Sequence, residues 1–210
     1  MRYSVLEYLE EAAINFGNKV AFIDQNKKIT FSETKHQALC IANAISKLHN
    51  VRKTPILVYL PKSVECITAF MGVLYSGNFY TPTDVRFPFP KVKSVLDVLN
   101  PSLIITDTQN KAKLLENGVS DNLILDINLV DYSVAELDSA DYLKHIISTD
   151  PVYTFFTSGS TGVPKGVIIN NLSILDYIDW ASKKFNIGTD TIMGNQSPFY
   201  FDISTQDIYT

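Results

Sequence analysis

Five apolar residues in a row, Ile56-Leu57-Val58-Tyr59-Leu60, most limit how this chain can fold. Side chains of a strand point alternately to its two faces, so a strand with one wet face alternates in polarity. A run without alternation has both faces buried. Pro61 ends the run and Ser63 is placed to cap a helix. In that helix Cys66, Ile67, Ala69, Phe70, Met71, Val73 and Leu74 are apolar nearly all round, which predicts deep burial, and Gly77 is placed to end it. The pattern then repeats. Val92 to Leu99 reads as helix, Leu103-Ile104-Ile105-Thr106 as buried strand, Lys111 to Glu116 as short helix and Leu123-Ile124-Leu125 as strand. Such alternation predicts an α/β fold, a largely parallel sheet flanked by helices.

Other segments read as follows. Val5, Leu9, Ala12, Ala13 and Phe16 recur at helical spacing, with a stop at Gly17-Asn18. Val20 to Ile23 and Lys28-Ile29 form a hairpin about Gln25-Asn26. Thr30-Phe31-Ser32-Glu33 fits a capping box for a helix to about His49, with Phe31, Ala38, Ala42, Ile45 and Leu48 on one face. Residues 126–150 are polar and predict a surface connection. Leu172 to Phe185 predicts a helix with Leu172, Leu175, Ile178 and Phe185 inward, and Trp180 in the core.

Composition excludes several function classes. A net charge of −4 makes no electrostatic case for nucleic acid or an anionic membrane. No apolar run approaches the ~20 residues that span a bilayer, and the N-terminus has no signal-peptide pattern. Cys40 and Cys66 lie far apart within apolar helical patterns and read as buried free thiols, which fits a soluble, cytoplasmic chain. His36, His49 and His145 share no ligand spacing and read as surface residues, so no metal site is expected.

A ten-residue loop carries the chemistry: Thr157-Ser158-Gly159-Ser160-Thr161-Gly162-Val163-Pro164-Lys165-Gly166, between the strand-like runs Val152–Phe156 and Val167–Ile169. Glycines let backbone N–H groups approach an anion, hydroxyls donate further hydrogen bonds, and the lysine is a point charge. Such a loop suits a polyphosphate better than a core. The P-loop pattern G-x-x-x-x-G-K-[ST], started at Gly159, requires Gly at 164 and Ser or Thr at 166. Pro164 and Gly166 fail both positions, and strand follows where a helix is needed.

The decapeptide resembles the phosphate loop of the adenylate-forming superfamily (acyl-CoA synthetases, luciferases and amino-acid adenylation domains), [ST]-S-G-[ST]-[ST]-G-x-P-K-G, at every position. Thr30–Glu33 and the stretch Leu74 to Asp84 are similar to two earlier core segments of that family. Family members often carry a second glycine where this chain has Asn78, whose tolerance of left-handed backbone preserves the turn. Many also place a histidine where Asn170-Asn171 stands. The resemblance implies that Thr157, Ser158, Gly159, Ser160, Thr161, Gly162, Lys165 and Gly166 bind the β- and γ-phosphates of ATP, with Mg²⁺ sharing the charge.

Near the C-terminus, Phe201-Asp202-Ile203-Ser204 is similar to a segment of amino-acid adenylation domains in which the aspartate receives the substrate's ammonium group. A carboxylate among aromatic rings is a strong partner for an ammonium ion. By residue type alone Asp202 also suits a helix N-cap. Ile203 and Gln206 align with positions lining the side-chain pocket. The Trp180 helix and Phe201–Ser204 also resemble D-alanine–carrier-protein ligases. The implied reaction is activation of an amino acid as its adenylate, with transfer to a phosphopantetheinyl carrier protein. An acyl- or aryl-CoA ligase and a non-catalytic scaffold are the alternatives. Residues 1–210 match only the N-terminal part of the large adenylation domain, and the family's catalytic lysine and small C-terminal domain have no counterpart in them. The chain is therefore expected to be a fragment that binds ATP weakly and does not turn over.

Overall fold

The computed structural model describes residues 2–134, 138–157 and 163–210. Along the chain run α1 (Leu6–Phe16), the hairpin β1 (Val20–Ile23) and β2 (Lys28–Thr30), α2 (Phe31–Leu48), β3 (Pro55–Tyr59) and α3 (Val64–Tyr75). Next come β4 (Phe79–Pro82), α4 (Phe89–Leu99), β5 (Leu103–Thr106), α5 (Thr108–Glu116), β6 (Ile124–Asp126) and α6 (Ser139–Leu143). β7 (Pro151–Thr157), β8 (Lys165–Asn170), α7 (Asn171–Lys184) and α8 (Ser204–Tyr209) complete the chain. Six strands form one mixed sheet in the order β6-β5-β3-β4-β7-β8. All neighbours are parallel except β7 and β8, which are antiparallel. The α/β architecture with a mostly parallel sheet is as the alternation predicts.

The unbroken apolar runs are strands with two dry faces. Ile56 and Val58 of β3 enter a large core with α1, α2 and α3, whereas Leu57 and Tyr59 enter a second core with α4 and α5. β5 divides in the same way, Leu103 and Ile105 against Ile104. Every residue of α3 except Glu65 is buried. The Ser63 hydroxyl caps this helix by accepting from the Cys66 N–H at 3.3 Å. At its other end Gly77 takes φ +77°. There the Gly77 N–H donates to Leu74 O and the Asn78 N–H to Val73 O, so the last carbonyls are satisfied.

Local signals and tertiary packing agree at most positions. Thr30 and Glu33 form the expected reciprocal cap: the Glu33 N–H donates to Thr30 Oγ1 at 3.2 Å and the Thr30 N–H to Glu33 Oε2 at 2.9 Å. Cys40 and Cys66 are buried free thiols, and burial pushes the Cys66 thiol up. Among the described residues, no helix is long and apolar enough to cross a membrane.

Elsewhere packing overrides the expectation. Asn78 does not take the left-handed turn; Gly77 does. The buried Asn78 amide instead binds the surrounding backbone and side chains. It donates to Val51 O at 3.1 Å and Ser76 Oγ at 3.0 Å, and accepts from Thr54 Oγ1 at 2.9 Å. Residues 126–150 are not merely a surface connection, because Ile127 and Val130 are buried and Tyr132, Tyr142 and Ile146 pack on the large core. His36 is half-buried, with Nε2 2.9 Å from Tyr132 O. α7 buries Ile174, Ile178 and Ala181, not Leu172 or Phe185, and Leu48 of α2 is likewise exposed. Trp180 is 52% exposed rather than in the core. A polar side chain decides the orientation of α7: buried Asn171 accepts from the Val5 N–H at 2.9 Å and donates to Asp150 O at 3.2 Å.

The Thr30 cap yields a quantitative expectation. Thr30→Ala removes one side of the reciprocal pair and should destabilise by about 1 kcal/mol, lowering the thermal midpoint by roughly 2–4 °C. Thr30→Ser keeps the acceptor and should fall well short of that loss in the same melt.

Candidate active site

The glycine-rich loop is framed by β7 and β8. Thr157 closes β7 and pairs with Lys165, the first residue of β8. The Thr157 Oγ1 hydroxyl lies 3.4 Å from Lys165 O. Ser158, Gly159, Ser160, Thr161 and Gly162 lie outside the described residues. Thr157, Lys165 and Gly166 are exposed at the carboxyl end of a parallel strand, where open α/β sheets bind ligands. Gly166 is required by close approach: a Cβ there would stand 2.8 Å from Thr154 Cγ2 and 3.3 Å from Phe156 Cζ. β8 forms a strand as its apolar run predicts, but Val167 is 50% and Ile168 59% exposed. It is an edge strand with no described neighbour on its far side.

The second group of residues gathers at α8, which is anchored to the same strand. Thr205 Oγ1 lies 3.2 Å from the Tyr153 hydroxyl in β7, and the Tyr209 and Tyr80 hydroxyls meet at 3.0 Å in the core. The Ser204 hydroxyl donates to Phe201 O at 2.7 Å, tightening the entry turn. Aromatic rings form the bed beneath. Phe70 stacks on Tyr80 at 4.1 Å, Tyr80 lies 5.8 Å from Tyr153, and Tyr153 stacks on Phe155 at 4.2 Å.

Asp202 stands at the entry to α8. The N-cap position of α8 is Ile203, whose side chain cannot cap, and among the described residues no hydrogen bond is made to the Asp202 carboxylate. Only its backbone oxygen takes part, accepting from the Thr205 N–H at 2.9 Å. Burial pushes the Tyr153 phenol up, and the Asp202 charge adds to the effect, which sets the two groups within electrostatic reach. Asp202 and Ile203 are exposed, so the aromatic bed is present but forms an open shoulder here rather than a dry pocket. Gln206 is half-buried, and its Oε1 accepts from the Tyr177 hydroxyl at 2.8 Å.

The loop and α8 are thus both tied to one strand. Tyr153, under α8, and Thr157, at the loop, are four residues apart in β7, about 13 Å along the strand. Sequence reasoning named Asp202, Ile203 and Gln206 as candidates and did not name Tyr153, Tyr177 or Thr205, which hydrogen bonds join across α8 and its neighbours. Tyr153 sits in an apolar run and has no local mark of its role. Among the described residues, no group of three or more His, Cys, Asp or Glu could hold a metal ion.

An open, mostly parallel sheet with a glycine- and hydroxyl-rich loop at a strand's carboxyl end defines a nucleotide-binding class of α/β domain. The particular family follows from comparison: residues 9–210 match the AMP-binding enzyme family, and the chain belongs to it. It is 30% identical over 206 residues to a D-alanine–D-alanyl carrier protein ligase of Bacillus cereus, and 31% identical to one of Bacillus anthracis. Those alignments cover 98% of this chain but 40% of each relative, so the chain spans less than half their length. Among solved structures, the nonribosomal peptide synthetase FmoA3 in its AMPPNP-bound form matches with a TM-score of 0.83 and 19% identity, over 99% of this chain and 21% of that one. VinN matches with a TM-score of 0.85 at 19% identity, over 100% of this chain and 57% of that one. At these identities the structural likeness speaks to fold alone.

Gly166 offers a direct check on how the loop is framed. Gly166→Ala forces a methyl against buried Thr154 and should destabilise by about 1–3 kcal/mol in a urea titration. Gly188→Ala, with no atom within 4 Å of the new Cβ, should leave the midpoint nearly unchanged.

Proposed function

We propose that residues 1–210 are the N-terminal part of an adenylation domain that activates an amino acid with ATP and passes it to the phosphopantetheine thiol of a carrier protein. The single observation that carries this reading is Asp202, a carboxylate left unused by the helix it precedes. Its charge helps to raise the phenol of Tyr153, on the strand that ends at the glycine-rich loop. The carrier-protein ligases among the relatives support the same choice of substrate and partner.

In the first step an oxygen of the substrate carboxylate attacks the α-phosphorus of ATP. The bond to the bridging oxygen breaks, and pyrophosphate leaves with the electron pair. This step needs phosphoryl charge neutralised more than it needs a protein nucleophile. Thr157, Ser158, Gly159, Ser160, Thr161, Gly162, Lys165 and Gly166 are assigned to the β- and γ-phosphates. Mg²⁺ is assigned to the phosphate oxygens, since the described residues offer no metal cluster of their own. Asp202 holds the ammonium group and so turns the carboxylate towards the α-phosphate, while Ile203 and Gln206 face the substrate side chain. In the second step the carrier thiolate attacks the acyl carbon and AMP departs. Residues 1–210 hold no group assigned to this transfer. The reaction belongs in the cytoplasm, where ATP is available.

Asp202→Ala in the full-length protein should lower kcat/KM for amino-acid-dependent ATP–pyrophosphate exchange by about ten- to a hundredfold, the loss of one charge-assisted hydrogen bond. Unaltered amino-acid-dependent exchange would remove Asp202 from the substrate site, whereas exchange driven by fatty or aryl acids instead would make the protein an acyl- or aryl-CoA type ligase. Absence of exchange with every acid would leave only a scaffold role.

A further inference from the structure

We infer that Tyr177 is a positioning residue for this site, and that the site takes an amino acid whose side chain carries a hydrogen-bond acceptor. The inference rests on the reading of Asp202 and Gln206 as amino-acid contacts. Asp202 leads into α8 through a tight turn, its backbone oxygen accepting from the Thr205 N–H at 2.9 Å, and Gln206 lies in the first turn of that helix. The Tyr177 hydroxyl reaches across from α7 and donates to Gln206 Oε1 at 2.8 Å.

A carboxamide has one accepting end and one donating end. With Oε1 turned to the phenol, the end directed away from Tyr177 is the Nε2 amide NH2. Among the described residues that NH2 group has no protein partner, and it is not sealed from solvent. Without the phenol, the flexible glutamine would present either end. With it, the site offers donors. A substrate hydroxyl, carboxamide or carboxylate satisfies those N–H groups, whereas a plain methyl or isopropyl group leaves them unpaired.

The exposed aromatic residues of α7 acquire a purpose on this account. Trp180 lies 5.8 Å from the Tyr177 ring, and Phe185 packs edge-on against Trp180 at 5.8 Å. Neither contributes to the large core. Together they brace the phenol from the solvent side, which limits the positions its hydroxyl can take. The ligases among the relatives are named for D-alanine, whose methyl has no acceptor. This chain is therefore assigned a different amino acid within the same reaction.

The experiment is ATP–pyrophosphate exchange by the full-length protein across the standard amino acids, with threonine compared against its isostere valine. The preferred substrate should bear an acceptor, and threonine should exceed valine. Tyr177→Phe should lower the threonine-to-valine ratio of kcat/KM about fivefold, chiefly through KM for threonine. Gln206→Leu should lower it at least as much, and adding Tyr177→Phe to Gln206→Leu should lower it no further. A preference for alanine or valine overturns the inference. So does a ratio that Tyr177→Phe leaves unmoved, or one that it moves equally in the Gln206→Leu background. Exchange that occurs only with acids lacking an amine overturns the reading of Asp202 as well. Exchange with amino acids but an unmoved ratio overturns this inference alone.

Discussion

The fully buried phenol of Tyr80 is the contact on which the arrangement depends. Its ring stacks on Phe70 of α3, its hydroxyl meets that of Tyr209 in α8, and its neighbour across the sheet is Tyr153 of β7. Burial pushes both the Tyr80 and Tyr209 phenols far up, so they stay neutral and pair with one another. A buried hydroxyl without a partner is costly, so each tyrosine holds the other in place. Among the described residues β4 is also the only parallel neighbour of β7. The strand that carries the glycine-rich loop and the helix that follows Asp202 are therefore both referred to the same central element.

From that element one strand links α8 to the glycine-rich loop. β7 presents Tyr153 under α8 and Thr157 at the loop, with a separation fixed by strand geometry. An extended strand buried on most of its length is a rigid ruler between those two positions. The antiparallel β8 closes the frame, and Gly166 keeps it close by leaving room for Phe156 and Thr154.

Much of the scaffold was legible from the chain because its signals are local or doubly enforced. β3 and β5 read as strands because burial on both faces removes polar positions altogether. Thr30, Ser63 and Gly77 announce helix ends because capping uses residues within a turn of one another. Features set by distant partners were not legible. The buried face of α7 follows from Asn171 binding Val5 and Asp150, far away in sequence, and the expected face was displaced accordingly. Asn78 looked like a turn residue, yet its amide serves the backbone of another connection. The exposure of β8 follows from its place at the sheet edge, which strand composition does not encode.

The sequence by itself determined the α/β class, the helix caps and the family, because strand burial, capping and the family's motifs are written in contiguous residues. Only the tertiary structure decided what surrounds Asp202. It left the carboxylate free of α8, set Tyr153 within its field and brought Tyr177 to Gln206 from a separate helix. Those relations join residues dozens of positions apart, and a short motif holds no record of which distant side chain completes it.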